Sequence, residues 1–246
     1  MIFMRQITAK EKSDARKKFS GYKKEQQKLV RKAEVVDSRL MERFRRVWDR
    51  YQWSNPQVGT DGALREVRRA MKAVQNERFS AEEIMLLSTM ISEFSNIGTS
   101  GSKEGIILSA MINSGSEASF KLSLEGMKFV DDLLVRNLKN VDVEAGRIGC
   151  IGNQMKNGRV TVKANQIHDI AMESGEMRVM CPSVENIIDL RGGTIAVEGD
   201  VNAIAQCNGG SIHVSGEINN IVLPVRVAIF RNGKLVRHGQ RGIEWL

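Results

Sequence analysis

One short apolar pattern recurs six times between residues 120 and 221, and nothing else in the chain constrains its fold as tightly. Phe120, Val141, Val160, Met177, Ile195 and Ile212 fall in one column, and each is followed two positions later by Leu122, Val143, Val162, Val179, Val197 or Val214. A second apolar pair then returns in every copy: Met127 and Val130, Ile148 and Ile151, Ile167 and Ile170, Val184 and Ile187, Val201 and Ile204, Ile218 and Ile221. The copies start 21, 19, 17, 18 and 17 residues apart, too close for paired helices and right for one turn of a β-solenoid. Alternation of the V-x-V type puts both apolar side chains on one face of a strand. A single turn cannot bury that face, so the copies must stack about 4.8 Å apart as parallel sheets around a continuous apolar interior. The interior positions are Val143, Val162, Val179, Val197 and Val214 on one side and Ile151, Ile170, Ile187, Ile204 and Ile221 on the other. Asn157-Gly158, Ser174-Gly175, Gly192-Gly193 and Gly209-Gly210 precede the strands, where the corners need small or positive-φ residues.

The net charge of +8 is confined to the other end of the chain. Residues 1–53 hold 16 Lys or Arg against 7 Asp or Glu, so they carry +9 and the remainder sums to −1. Phe19, Tyr22, Leu29, Val36, Leu40, Phe44, Val47 and Tyr51 follow 3/4 spacing, with Gln26 at a seam position, which predicts a long basic helix of coiled-coil character over residues 1–53. Arg16, Lys17, Lys18, Lys23, Lys24, Lys28, Arg31 and Lys32 fall mostly off that stripe. They form either a solvated face or a surface for a polyanion, which would be nucleic acid or an anionic membrane. Trp48, Tyr51 and Trp53 crowd the end of the stripe, as core residues, membrane anchors or base-stacking platforms.

Ser54-Asn55-Pro56 breaks the helix. Residues 57–96 then read as a helical hairpin: Leu64, Val67, Met71 and Val74 stripe a first helix, and a Ser80/Glu83 capping box opens a second that carries Ile84, Leu87 and Ile91. Arg65, Arg68, Arg69 and Lys72 read as surface charge on the first. Residues 97–118 read as a linker, with Gly105 to Met111 as an irregular first rung, and the solenoid proper occupies 119–223. Residues 224–246 are the capping hairpin and tail. There Asn232-Gly233 lies between alternating apolar residues, the signature of a type I′ turn. The expected class is α+β: an N-terminal helical region, a single-stranded β-helix of about six rungs and a C-terminal β-hairpin.

Catalytic signals are few. His168, His213 and His238 have no metal-binding spacing, and no Walker, GxGxxG or GxSxG loop occurs. Cys150, Cys181 and Cys207 cannot form a closed disulfide framework and read as buried thiols of a reducing compartment. With no apolar run of 18 residues and Arg5 close behind Met1, the chain is expected to be cytoplasmic, with neither enzymatic activity, cofactor, metal nor small-molecule substrate.

The rungs GGTIAVEGDV and GGSIHVSGEI resemble the β-solenoid of bactofilins, the polymer-forming cytoskeletal proteins of bacteria. They are similar also to the C-terminal β-helix of the division-site inhibitor MinC and to flagellar assembly protein A. The resemblance spans about residues 138–223 and lies in the architecture, so no functional residue is carried over. It implies a structural scaffold that associates with itself as a filament or homo-oligomer. The alternative is an oligomeric nucleic-acid-binding scaffold or packaging protein that uses the basic residues of 1–53.

Overall fold

The computed structural model describes residues 38–54, 60–93, 101–222, 226–239 and 242–245. The chain divides into two units between Arg46 and Val47. A helix over residues 38–50 (α1) crosses that boundary, and its stripe residues Leu40, Phe44 and Val47 are buried, as their spacing predicts.

The second unit continues with α2 (Thr60–Val74), α3 (Ala81–Met90) and α4 (Ser102–Ser114), and then with strands only. The solenoid side chains alternate in and out along β1 (Ser119–Leu124), β2 (Asn140–Ile151), β3 (Arg159–Ala171), β4 (Glu176–Ile188) and β5 (Thr194–Ala205). The next turn is split into β6 (Ser211–Val214) and β7 (Ile218–Val222), both stacked on β5, and β8 (Ala228–Arg231) stacks on β6 alone. Among the described residues, four helices followed by a β-solenoid of about six turns make the chain α+β.

The sequence columns are the structural columns. Phe120, Val141, Val160, Met177, Ile195 and Ile212 pair in register from rung to rung. So do Ile148, Ile167, Val184, Val201 and Ile218, and Ile151, Ile170, Ile187, Ile204 and Ile221. The 18-residue copy keeps register by a bulge at Cys181-Pro182, where the missing N–H of proline costs no ladder bond. The first copy departs from the expected alignment. Val130 and Leu133, not Met127 and Val130, lie against Ile148 and Ile151, because the first corner holds three more residues than its counterpart in β2.

Each turn also has a third, short side that the apolar pattern did not reveal. Met155, Met172, Leu190 and Cys207 are buried there, spaced 17, 18 and 17 apart. The carbonyls of these four accept N–H groups of Glu173, Arg191, Asn208 and Arg226 one turn on. One apolar residue per turn gives no local period, so only the stacked fold exposes the column.

Two further corrections concern the helices. Gly105 to Met111, expected as an irregular rung, lie inside α4, whose residues from Gly105 to Ile112 are all buried. Helices α2 and α3, expected to pair as a hairpin, pack instead on α4 and on β1 respectively. The capping box is present as read: Ser80 Oγ accepts from the Glu83 N–H at 3.2 Å, and Glu83 Oε2 accepts from the Ser80 N–H at 2.9 Å. The buried face of α2 is rotated from the predicted one. Ala63, Glu66, Val67, Ala70, Ala73 and Val74 are buried while Leu64 and Met71 are half-buried, and the helix packs on α4.

Candidate functional site

The two ends of the solenoid are built differently, and self-association of such a fold depends on its ends. The first turn presents backbone donors and acceptors with no turn before it, and unpaired strand edges invite another chain. Helices α3 and α4 answer them. Ser88 Oγ of α3 accepts the Ser123 N–H of β1 at 2.9 Å. From α4, Ser109 Oγ accepts the Val135 N–H at 3.2 Å, Asn113 Nδ2 donates to the Val135 carbonyl at 3.0 Å, and the Gly101 carbonyl before the helix accepts the Asp131 N–H at 3.2 Å. Gly105 lets the helix lie this close, since a Cβ there would fall on the Asp131 carbonyl oxygen.

The other end is stepped. On one side β8, β9 (Lys234–Gly239) and β10 (Gly242–Trp245) extend the sheet, β8 and β9 through the Asn232-Gly233 turn with φ values of 49° and 76°, as that dipeptide predicts. On the other side, β7 has β5 as its one strand neighbour among the described residues. Ile221 is accordingly half-buried and Val222 is 44% exposed, whereas Ile204 one turn back is fully buried. The other nine interior residues named from sequence, Val143, Val162, Val179, Val197, Val214, Ile151, Ile170, Ile187 and Ile204, are all buried.

Where α4 meets the first turn, a small acidic cluster is half-buried. Asp131 Oδ1 accepts the N–H groups of Cys150 and Asp132 at 2.7 and 2.9 Å, and its Oδ2 accepts from Ser102 Oγ at 3.2 Å. Burial, with the Asp131 carboxylate next to it, pushes the Asp132 carboxyl up to about 7, against a weaker opposite pull from the Ser102 hydroxyl. Folded Asp132 therefore binds a proton that the unfolded chain has released, and its contribution to stability is full below about pH 4 and lost as pH rises through 7. Asp132→Asn, at a φ of 51° that asparagine accepts, should stabilise the protein by a few kcal/mol at about pH 8 and little at about pH 4. Urea unfolding at the two pH values reads this, and equal gains at both would refute it.

The other groups named from sequence are scattered. His168 meets Asp169 at 3.0 Å and Glu185 at 3.4 Å on the outer surface, His213 stacks on Phe230 at 4.6 Å, and the side chain of His238 lies outside the described residues. Burial pushes the Cys150, Cys181 and Cys207 thiols up, and all three are free. Among the described residues no group of three His, Cys, Asp or Glu is placed to hold a metal ion, and no helix is long and apolar enough to cross a membrane. Arg16, Lys17, Lys18, Lys23, Lys24, Lys28, Arg31 and Lys32 lie outside the described residues.

Of the aromatic trio, Tyr51 is buried, Trp48 carries the Lys103 ammonium 4.0 Å over its ring, and Trp53 is half-buried in a T-shaped pair with Tyr51. Tyr51 Oη and Ser54 Oγ each donate to the buried Glu66 carboxylate at 2.8 Å, and Arg69 pairs with it at 2.8 Å. Burial would raise Glu66, but these three partners outweigh it and hold the carboxyl below its ordinary range. The network ties the segment after α1 to α2 and leaves the basic face of α2 turned to solvent. Compared with protein-family models, with curated proteins and with solved structures, the chain matches none.

Proposed function

We propose that the chain is a non-enzymatic structural scaffold that associates with a second copy of itself through the β7 end of its solenoid. The unlike treatment of the two ends carries this reading. A filament of the bactofilin kind needs a front and a back that both accept a neighbour, a heterologous contact repeated without closure. Here α3 and α4 occupy the front. With one end open, two copies meet open end to open end, an isologous contact that closes as a dimer. The edge of β7, which has no second strand neighbour among the described residues, supplies backbone hydrogen-bonding groups, and Ile221 and Val222 supply apolar surface.

Light scattering coupled to size exclusion at micromolar concentration, with nucleic acid removed, tests the reading. The expected mass is twice the 27.5 kDa of one chain. Val222→Lys, a charge on an exposed edge position, should shift the equilibrium toward monomer with the β-sheet signal intact. A wild-type monomer would defeat the scaffold reading, and long fibres would defeat the closed dimer. The alternative, nucleic-acid binding by the helical half, is favoured by one described feature, the arginine face of α2.

A further inference from the structure

We propose that the exposed face of α2, with the end of α1, binds the phosphate backbone of a single-stranded nucleic acid. Arg65, Arg68, Arg69 and Lys72 stand at i, i+3, i+4 and i+7, one stripe opposite the buried alanine face, and all four are exposed. They line up cations along about 10 Å of helix. Arg50 joins them from α1, because its guanidinium donates to the Ala73 carbonyl at 2.9 Å and so sits at the last turn of α2. Between these elements lies a hollow of about 300 Å³ lined by Arg50, Tyr51, Gln52, Arg69, Lys72 and Ala73: three cations, one amide and no carboxylate. Lys72 also borders a second hollow of about 600 Å³, with Gln75, Glu77 and Arg78 on its wall.

The chemistry of these groups selects the occupant. Arg69 is engaged by Glu66, but Arg65, Arg68 and Lys72 make no ion pair among the described residues, so their charge is offered to solvent. Guanidinium forks match phosphate oxygens bidentately. A membrane surface is disfavoured, because an interfacial helix inserts its apolar face and that of α2 is already buried in the protein. A duplex holds its phosphates on a stiff rail, whereas a single strand can dip from one hollow into the next past Lys72. Half-buried Trp53, in a T-shaped pair with Tyr51 at 6.4 Å, offers a ring on which an unpaired base can stack.

Fluorescence polarisation of the full chain with a labelled single-stranded oligonucleotide of about 16 nucleotides, followed between about 50 and 200 mM salt, tests this. The triple variant Arg65→Gln, Arg68→Gln, Lys72→Gln changes only exposed side chains and should melt as the parent does. It is expected to bind at least about 10-fold more weakly, with a salt slope shallower by about 2, at about 0.7 per single-strand phosphate lost. The charge-matched control Lys121→Gln, Lys128→Gln, Arg147→Gln, on exposed solenoid positions, should keep the parent affinity. Equal loss in both triples, parental binding by the first, tighter binding of a duplex, or binding of anionic vesicles in place of the oligonucleotide would each overturn the proposal. None of these outcomes bears on the mass of the free protein, which tests the scaffold reading separately.

Discussion

Gly193→Val is expected to destabilise the chain by about 2–6 kcal/mol and to lower its melting temperature steeply. Gly193 has φ +80°, and a Cβ built on it falls on the backbone nitrogen and carbonyl oxygen of Gly175 in the turn below. A β-branched residue held in that conformation costs about 1–3 kcal/mol, and overpacking adds about as much. The crowded atoms are backbone, so no side-chain rotation relieves them, and the turns above and below must part. Against a total stability of about 5–15 kcal/mol, that loss is a large fraction in a stack where every turn depends on its neighbours. Gly233→Asn is the control: φ is +76° there too, but nothing lies within 4 Å and asparagine tolerates the conformation. Circular dichroism melts of both variants decide the matter, and a Gly193→Val protein that melts like its parent would show that the corner has slack.

Gly105→Leu is expected to lift α4 from the first turn and convert a discrete particle into larger assemblies. The new side chain would start on the Asp131 carbonyl oxygen, so the helix must retreat along its length. Ser109 and Asn113 would then release the Val135 N–H and carbonyl, and the buried surface of Ile106, Ile107, Met111 and Ile112 would open. The front of the solenoid would become a second sticky end, and a chain with two open ends can add copies without closing. Scattering mass that rises with concentration while the β-sheet signal persists is the expected result. An unchanged mass with intact α4 would mean that the helix accommodates the clash without leaving.

The strand columns, the capping box and the Asn232-Gly233 turn were legible because each is local. Alternation, S-x-x-E and N-G act over a few residues, and their physics is complete within that span. The segment from 102 to 114 was not legible in the same way. A helix buried on every side, carrying Ile106, Ile107, Leu108, Met111 and Ile112, has no polar face to give it a period, and a short apolar run of that kind matches a strand equally well. The arginine stripe of α2 was visible as residues, but the hollow beside it required Arg50 to fold back onto Ala73.

Repetition with a period near 17 leaves stacking as the way to bury the apolar strand faces, so the β-solenoid of the second half and the valines and isoleucines that fill it follow from the residue order alone. How each end of the stack is finished follows from contacts made in the folded chain. Whether an edge is covered depends on distant groups, Ser88, Ser109 and Asn113 at one end and the step between β7 and β8 at the other. A hydrogen bond across 22 to 35 residues of chain leaves no period in the sequence from which it could be read.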